Sequence, residues 1–275
     1  MNNNIINDKV VVFDLDETLG SFTEIGIFWD ALENFYGKKI PNNAFITLLD
    51  IFSHFLRPDI INILKFIIDK RDKGECSKIM IYTNNNGPKN WVKLICDYFD
   101  KKLNIKVFDK IIAAFKIDGK IVEIGRKTHN KTIEDLINCS KIPDNTKICF
   151  LDDQVHSHME HENVYYIKIK PYNYNLPYRV MAEMYYSNEY TNINKHSNEE
   201  EFINTIVKIM NRYNYEDKYI NEIEIDTIVS KQIINYLKDF FSKKHDKTIK
   251  KYNKTIKKNH KTTNYKLKNK TIKKR

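Results

Sequence analysis

Val10-Val11-Val12-Phe13-Asp14-Leu15-Asp16-Glu17-Thr18-Leu19 runs four apolar residues into two carboxylates, Asp14 and Asp16, and then a hydroxyl. So short an unbroken run of β-branched residues reads as a strand buried on both faces, the kind that belongs to parallel sheets. Open parallel sheets bind ligands just beyond the carboxyl ends of their strands. Asp14 and Asp16 fall at that end. Neighbouring carboxylates repel, and burying them is costly unless a cation or a phosphate-binding role compensates. Mg²⁺, a hard ion that takes oxygen ligands, suits the position. The structural alternative is a buried strand that closes in an acidic turn.

Four more strands follow, and two of them also end in polar side chains. Lys78-Ile79-Met80-Ile81-Tyr82 ends in Thr83-Asn84-Asn85, a hydroxyl and amides ahead of a helix opened by Pro88, which is a good place to hold a phosphate oxygen. Phe108 to Phe115 reads as a third strand. Lys147-Ile148-Cys149-Phe150-Leu151 ends in Asp152-Asp153, and Asn163 to Tyr172 is the last strand, stopped by Pro171. Between them lie helical patterns. Ile27, Phe28, Ala31, Leu32, Phe35 and Tyr36 recur at helical spacing and Gly37 closes them. Leu56-Arg57-Pro58-Asp59 opens a helix with Ile60, Ile63, Leu64, Ile67 and Ile68 on one face. Asp118-Gly119, flanked by apolar residues, signals a hairpin. Residues 20–55 are too few for a large cap domain and enough for a flap over the site.

Gly125 to Lys131 is a basic stretch that leads into a helix from Thr132 to Cys139. In order along the chain the strand ends thus offer an acid pair, a hydroxyl, a lysine and a second acid pair. This arrangement resembles the haloacid dehalogenase superfamily of phosphotransferases. The resemblance implies that Asp14 is the nucleophile and Asp16 the general acid/base, with the Asp16 carbonyl helping to bind Mg²⁺. It implies that Thr83 and Asn84 hold phosphate. Lys131, or Lys127 as the fallback, neutralises the phosphoryl group, and Asp152 and Asp153 complete the metal shell. Within the superfamily, residues 8–175 resemble the nuclear-LIM-interactor-interacting-factor-like and RNA polymerase II C-terminal-domain phosphatases. The matching residues are Asp14 to Leu19, Leu56-Arg57-Pro58, Tyr82-Thr83, Leu151-Asp152-Asp153 and Lys170-Pro171-Tyr172. The chain departs from that family at Asn84-Asn85 (usually Ala-Ser), Gln154-Val155 (usually Ser-Pro) and Glu134-Asp135-Leu136 (usually Lys-Asp-Leu).

The expected fold is α/β, a Rossmann-like three-layer sandwich with a mainly parallel sheet, a small flap or hairpin insert and no large cap domain. The expected organisation is a phosphatase core at 1–175, a helical extension at 176–243 with helices near 198–213 and 226–243, and a disordered Lys-rich tail at 244–275. The expected function is a Mg²⁺-dependent phosphomonoesterase acting on a phosphorylated macromolecule such as a phosphoprotein. A polynucleotide 3′-phosphatase is one alternative. A non-catalytic nucleic-acid-binding scaffold is the other.

Charge is unevenly spread. Residues 243–275 hold 14 Lys and 1 Arg against the single acid Asp246, a net of +14, which leaves residues 1–242 at −4. Such a run suits phosphate backbones or acidic partners through counterion release, and equally a solubilising or import tail. Cys76, Cys96, Cys139 and Cys149 lie in or beside apolar segments without C-x-x-C spacing, as buried thiols of a reducing compartment do. With no apolar run near the ~20 residues of a membrane helix and no signal-peptide pattern, the chain is expected to be soluble and intracellular, with no membrane partner. His156, His158 and His161 have a spacing that can suit Zn²⁺, and read rather as an exposed loop beside the site.

Overall fold

The computed structural model describes residues 8–87, 90–191, 198–213 and 222–242. Strand β1 (Lys9–Phe13) is the centre of a five-stranded sheet, and Val10, Val11 and Val12 are fully buried because both faces are covered. Its neighbours are β2 (Lys78–Tyr82) and β6 (Lys147–Asp152), with β3 (Lys110–Ile112) and β7 (Val164–Lys168) at the two edges. Every pairing in this sheet is parallel. A separate antiparallel hairpin, β4 (Lys116–Ile117) and β5 (Lys120–Ile121), is the expected small insert. It turns on Asp118 and Gly119, whose φ of 49° and 76° put both in the left-handed region that such a turn requires.

Sheet order is β3-β2-β1-β6-β7. The chain winds outward from β1 in one direction, then returns to its other side at β6. The gap between the ends of β1 and β6 is therefore the topological switch point, where doubly wound sheets form a crevice. Register sets what meets there. Phe13 lies opposite both Ile81 and Leu151. Asp14 is thus level with Tyr82 and Asp152, and Thr83 and Asp153 come one step later.

Strand alternation sorts the core into two layers. Val10, Val12, Met80, Tyr82, Ile148 and Phe150 face a thin layer built on α5 (Ile133–Ser140). Val11, Phe13, Ile79, Ile81, Cys149 and Leu151 face a thick one. The thick layer holds α3 (Ile60–Asp72) and α4 (Trp91–Leu103), the crossover helices, and also α1 (Thr23–Tyr36) and α2 (Asn42–Ile51). Gly37 caps α1 at φ 63°; its N–H donates to the Asn34 carbonyl and Lys38 N–H to that of Glu33.

Residues 20–55 are therefore two helices and a short 3₁₀ turn (Ser53–Phe55) whose apolar faces join the main core. Phe28 meets Phe52 and Tyr185, and Phe35 meets Phe202, each edge to face. Tyr185 and Phe202 belong to α6 (Tyr178–Ser187) and α7 (Glu199–Met210). The last helix, α8 (Ile223–Phe241), packs along α3 and β7: Lys9 Nζ donates to the Phe240 carbonyl, and Lys170 pairs with buried Asp226 at 2.8 Å. A 3₁₀ turn prolongs α7 to Tyr213, as expected, while α8 begins earlier than Asp226. Pro88, Lys243 and the tail at 244–275 lie outside the described residues. No helix among the described residues is long and apolar enough to cross a membrane.

Candidate active site

Beyond Phe13 the chain leaves the ladder through one last sheet bond, from Asp14 N–H to the Leu151 carbonyl at 2.9 Å. It then makes a tight loop. Glu17 adopts φ 56°, its N–H donates to the Gly20 carbonyl at 2.8 Å, and Leu19 N–H donates to Leu15. Buried Arg57 fixes this loop from outside. Its Nε donates to the Thr18 carbonyl at 2.6 Å, and its Nη2 to the carbonyls of Glu17 and Lys170 at 2.6 and 2.9 Å. Tyr172 N–H closes the same clamp on Glu17. Arg57 and Tyr172, which the sequence places at a helix opening and a strand end and among the residues of the resemblance, thus hold the acidic loop in place.

Asp14, Asp152 and Asp153 converge, with one carboxylate oxygen of each within 4.8 Å of the others, and can hold a metal ion. All three are buried. Lys131 enters from the start of α5 and is 2% exposed. Its ammonium lies 2.6 Å from Asp14 Oδ1 and 2.7 Å from Asp152 Oδ2. Lys127, the alternative, is exposed, and its backbone N–H goes to the Asp135 carboxylate. Burial therefore separates two lysines that the sequence leaves equivalent. Thr18 Oγ1 donates to Asp153 at 3.3 Å. Asp152 also accepts from Gln154 N–H at 2.8 Å and has His156 Nε2 at 3.2 Å.

Asp16 turns a different way. It is partly exposed, and its carboxylate accepts from Asn85 Nδ2 at 2.7 Å rather than joining the cluster of three. Thr83 is buried at the end of β2, where its hydroxyl accepts from Asn85 N–H at 3.0 Å. Asn84 is exposed and its side-chain oxygen accepts from Arg126. Arg126, read from sequence as part of a basic loop, is 2% exposed. It also donates to the carbonyls of Thr83, Ala113, His129 and Asn130. It joins the loop after β2 to the loop that carries Lys131. His158 and His161 do not converge with His156 on a metal position; His161 Nδ1 accepts from Asn163 N–H.

The electrostatics are those of crowded acids. Burial raises Asp14, against the opposing pull of Lys131. Burial, opposed by the Asn85 hydrogen bond, pushes Asp16 up to about 6. Burial and the charges of Asp14 and Asp152 push Asp153 up to about 7. Asp152 differs: burial would raise it, but His156 and Lys131 outweigh that and hold it below the usual carboxylate range. Three clustered carboxylates thus share one buried ammonium, with Asp16 close by in sequence. An all-oxygen donor set with excess negative charge fits a hard divalent cation. No family model, no curated protein and no solved structure matches the chain.

Proposed function

We propose that this chain is a Mg²⁺-dependent phosphomonoester hydrolase of the haloacid dehalogenase type, working through an aspartyl-phosphate on Asp14. The observation that carries the reading is the meeting of Asp14, Lys131 and the Asp152–Asp153 pair at the switch point of the sheet. Asp16 follows two residues on, held by Asn85.

Asp14 attacks phosphorus in line; its Oδ–P bond forms as the bond to the leaving oxygen breaks. Burial works against the anionic form this step needs, and Lys131 works for it. Asp16, raised to about 6, donates a proton to the leaving oxygen. The resulting carboxylate then takes a proton from water, which attacks phosphorus and frees Asp14. Asn85 keeps Asp16 aimed through both half-reactions. Lys131 neutralises the phosphoryl oxygens, and Thr83, at the end of the adjacent strand, adds a hydroxyl. Asp14, Asp152 and Asp153, with the Asp16 carbonyl, would hold Mg²⁺, which when bound offsets the gathered negative charge.

The test is hydrolysis of p-nitrophenyl phosphate with Mg²⁺ or with EDTA, beside Asp14→Asn. Turnover is expected only with both Mg²⁺ and Asp14, and circular dichroism of the variant should match the parent. Turnover by folded Asp14→Asn at the parent rate sinks the assignment.

A further inference from the structure

We infer that the substrate's leaving group is an uncharged apolar alcohol, alkyl or aryl, held in a cavity beside Asp16. This deepens the hydrolase reading and rests on it for the position of the phosphate. A cavity of about 590 Å³ opens between α1, the start of α4 and Tyr213. Sites for small molecules span roughly 300–1,000 Å³. Its apolar wall is Phe22, Ile27, Trp29, Ile40, Trp91 and Leu94. Asp16 and Asn85 also line it, while Asp14, Asp152 and Asp153 do not. A phosphoryl group at the acid cluster therefore places its ester oxygen by Asp16, the proton donor, and the rest of the molecule in the cavity.

The lining of the cavity argues for a neutral occupant. Asp30 accepts from the Tyr213 hydroxyl and from Asn34 Nδ2. Glu33 pairs with Lys39 at 2.5 Å and accepts from Ile40 N–H at 3.4 Å. A charged leaving group would lose its hydration against the apolar wall, and an anion would also face Asp30 and Glu33, whereas a neutral apolar one buries its surface against two indoles. Tyr213 comes from the turn after α7, so the C-terminal extension completes this wall as well as packing on the core.

Trp29 and Trp91 are the chain's two tryptophans, and both line the cavity, so intrinsic fluorescence reads its occupancy. The experiment titrates the full chain with octyl phosphate and with glycerol 2-phosphate, then measures KM for each and for a phosphoserine peptide. Ile40→Asp puts a charge on the wall; Ile40→Phe narrows it without one, in case the first variant fails to fold. Octyl phosphate should give a saturable fluorescence change that glycerol 2-phosphate does not, and a KM at least about tenfold lower. Both differences should collapse in the Ile40 variants. Equal KM values, a lower KM for the peptide, or a fluorescence response that survives both substitutions would overturn the inference and leave the hydrolase reading intact. A saturable response to octyl phosphate that the Ile40 variants abolish, with no hydrolysis of any ester, would uphold the cavity and overturn the hydrolase.

Discussion

Lys131 is the residue on which the acid cluster depends. Its ammonium touches two buried carboxylates, and its loss leaves both uncompensated. Breaking a buried pair from one side costs about 3–5 kcal/mol. Lys131→Met should therefore lower urea-unfolding stability by that order in metal-free protein and abolish phosphatase turnover; a change under about 1 kcal/mol would place its charge elsewhere. Asp153 sets the response to pH. Its folded pKa of about 7 lies above the ordinary 3.8, so the folded state binds the proton more tightly than the unfolded one. That contribution to stability is complete below about 4 and is lost as pH rises through about 7; Asp16 behaves alike up to about 6. Depressed Asp152 runs the other way, losing its contribution only as pH falls below the ordinary carboxylate range. A metal ion held by Asp153 would compete with that proton. Added Mg²⁺ should raise Tm more at pH 8 than at pH 6, and an equal rise would remove Asp153 from the metal shell. Sequence exposes these acids because a carboxylate at the end of an apolar strand is costly wherever it occurs. It hides Arg57 and Arg126, whose partners are mostly backbone carbonyls and leave no trace in residue identity. The bond from Asn85 to Asp16 is not legible, because the two lie on different strand ends.

Among the elements, the loop from Asp14 to Gly20 is the most constrained. Gly20 bridges Asp16 on one side and Leu56 on the other, and a Cβ there would lie 2.6 Å from the Phe55 carbonyl oxygen and 2.7 Å from the Phe22 ring. Neither can be relieved without moving the loop that carries Asp16. Gly20→Ala should cost about 1–3 kcal/mol and reduce kcat more than it changes KM, as read by thermal unfolding and steady-state kinetics. A variant as stable and active as the parent would mean that the loop tolerates displacement. The buried strands and the Asp118-Gly119 hairpin are legible from local pattern alone. So is the helix ending at Gly37. What α1 and α2 pack against is not legible, because Tyr185 and Phe202 lie far along the chain and nothing local names them.

At the scale of the molecule, the parallel sheet follows from the alternation of short buried strands and helices, but the order β3-β2-β1-β6-β7, and with it the switch point, does not. The cavity beside Asp16 does not follow, since it needs α1, α4 and Tyr213 brought together. Net charge divides the chain in two: residues 243–275 carry +14 and the rest −4. Deleting that segment should leave p-nitrophenyl phosphate hydrolysis unchanged and remove any salt-dependent shift of nucleic acid; loss of hydrolysis instead would tie the segment to the site.

In the proposed mechanism Asp14 carries the phosphoryl group, and trapping the adduct looks for it there. Asp16→Asn should still react with p-nitrophenyl phosphate, whose leaving group needs no proton, but lacks the base that activates water for the second step. Rapid mixing with Mg²⁺, acid quenching and peptide mapping by mass should give a burst of p-nitrophenolate and a phosphoryl adduct on Asp14. A burst with the adduct on another residue, or steady turnover by the parent with no adduct in either protein, would contradict the account.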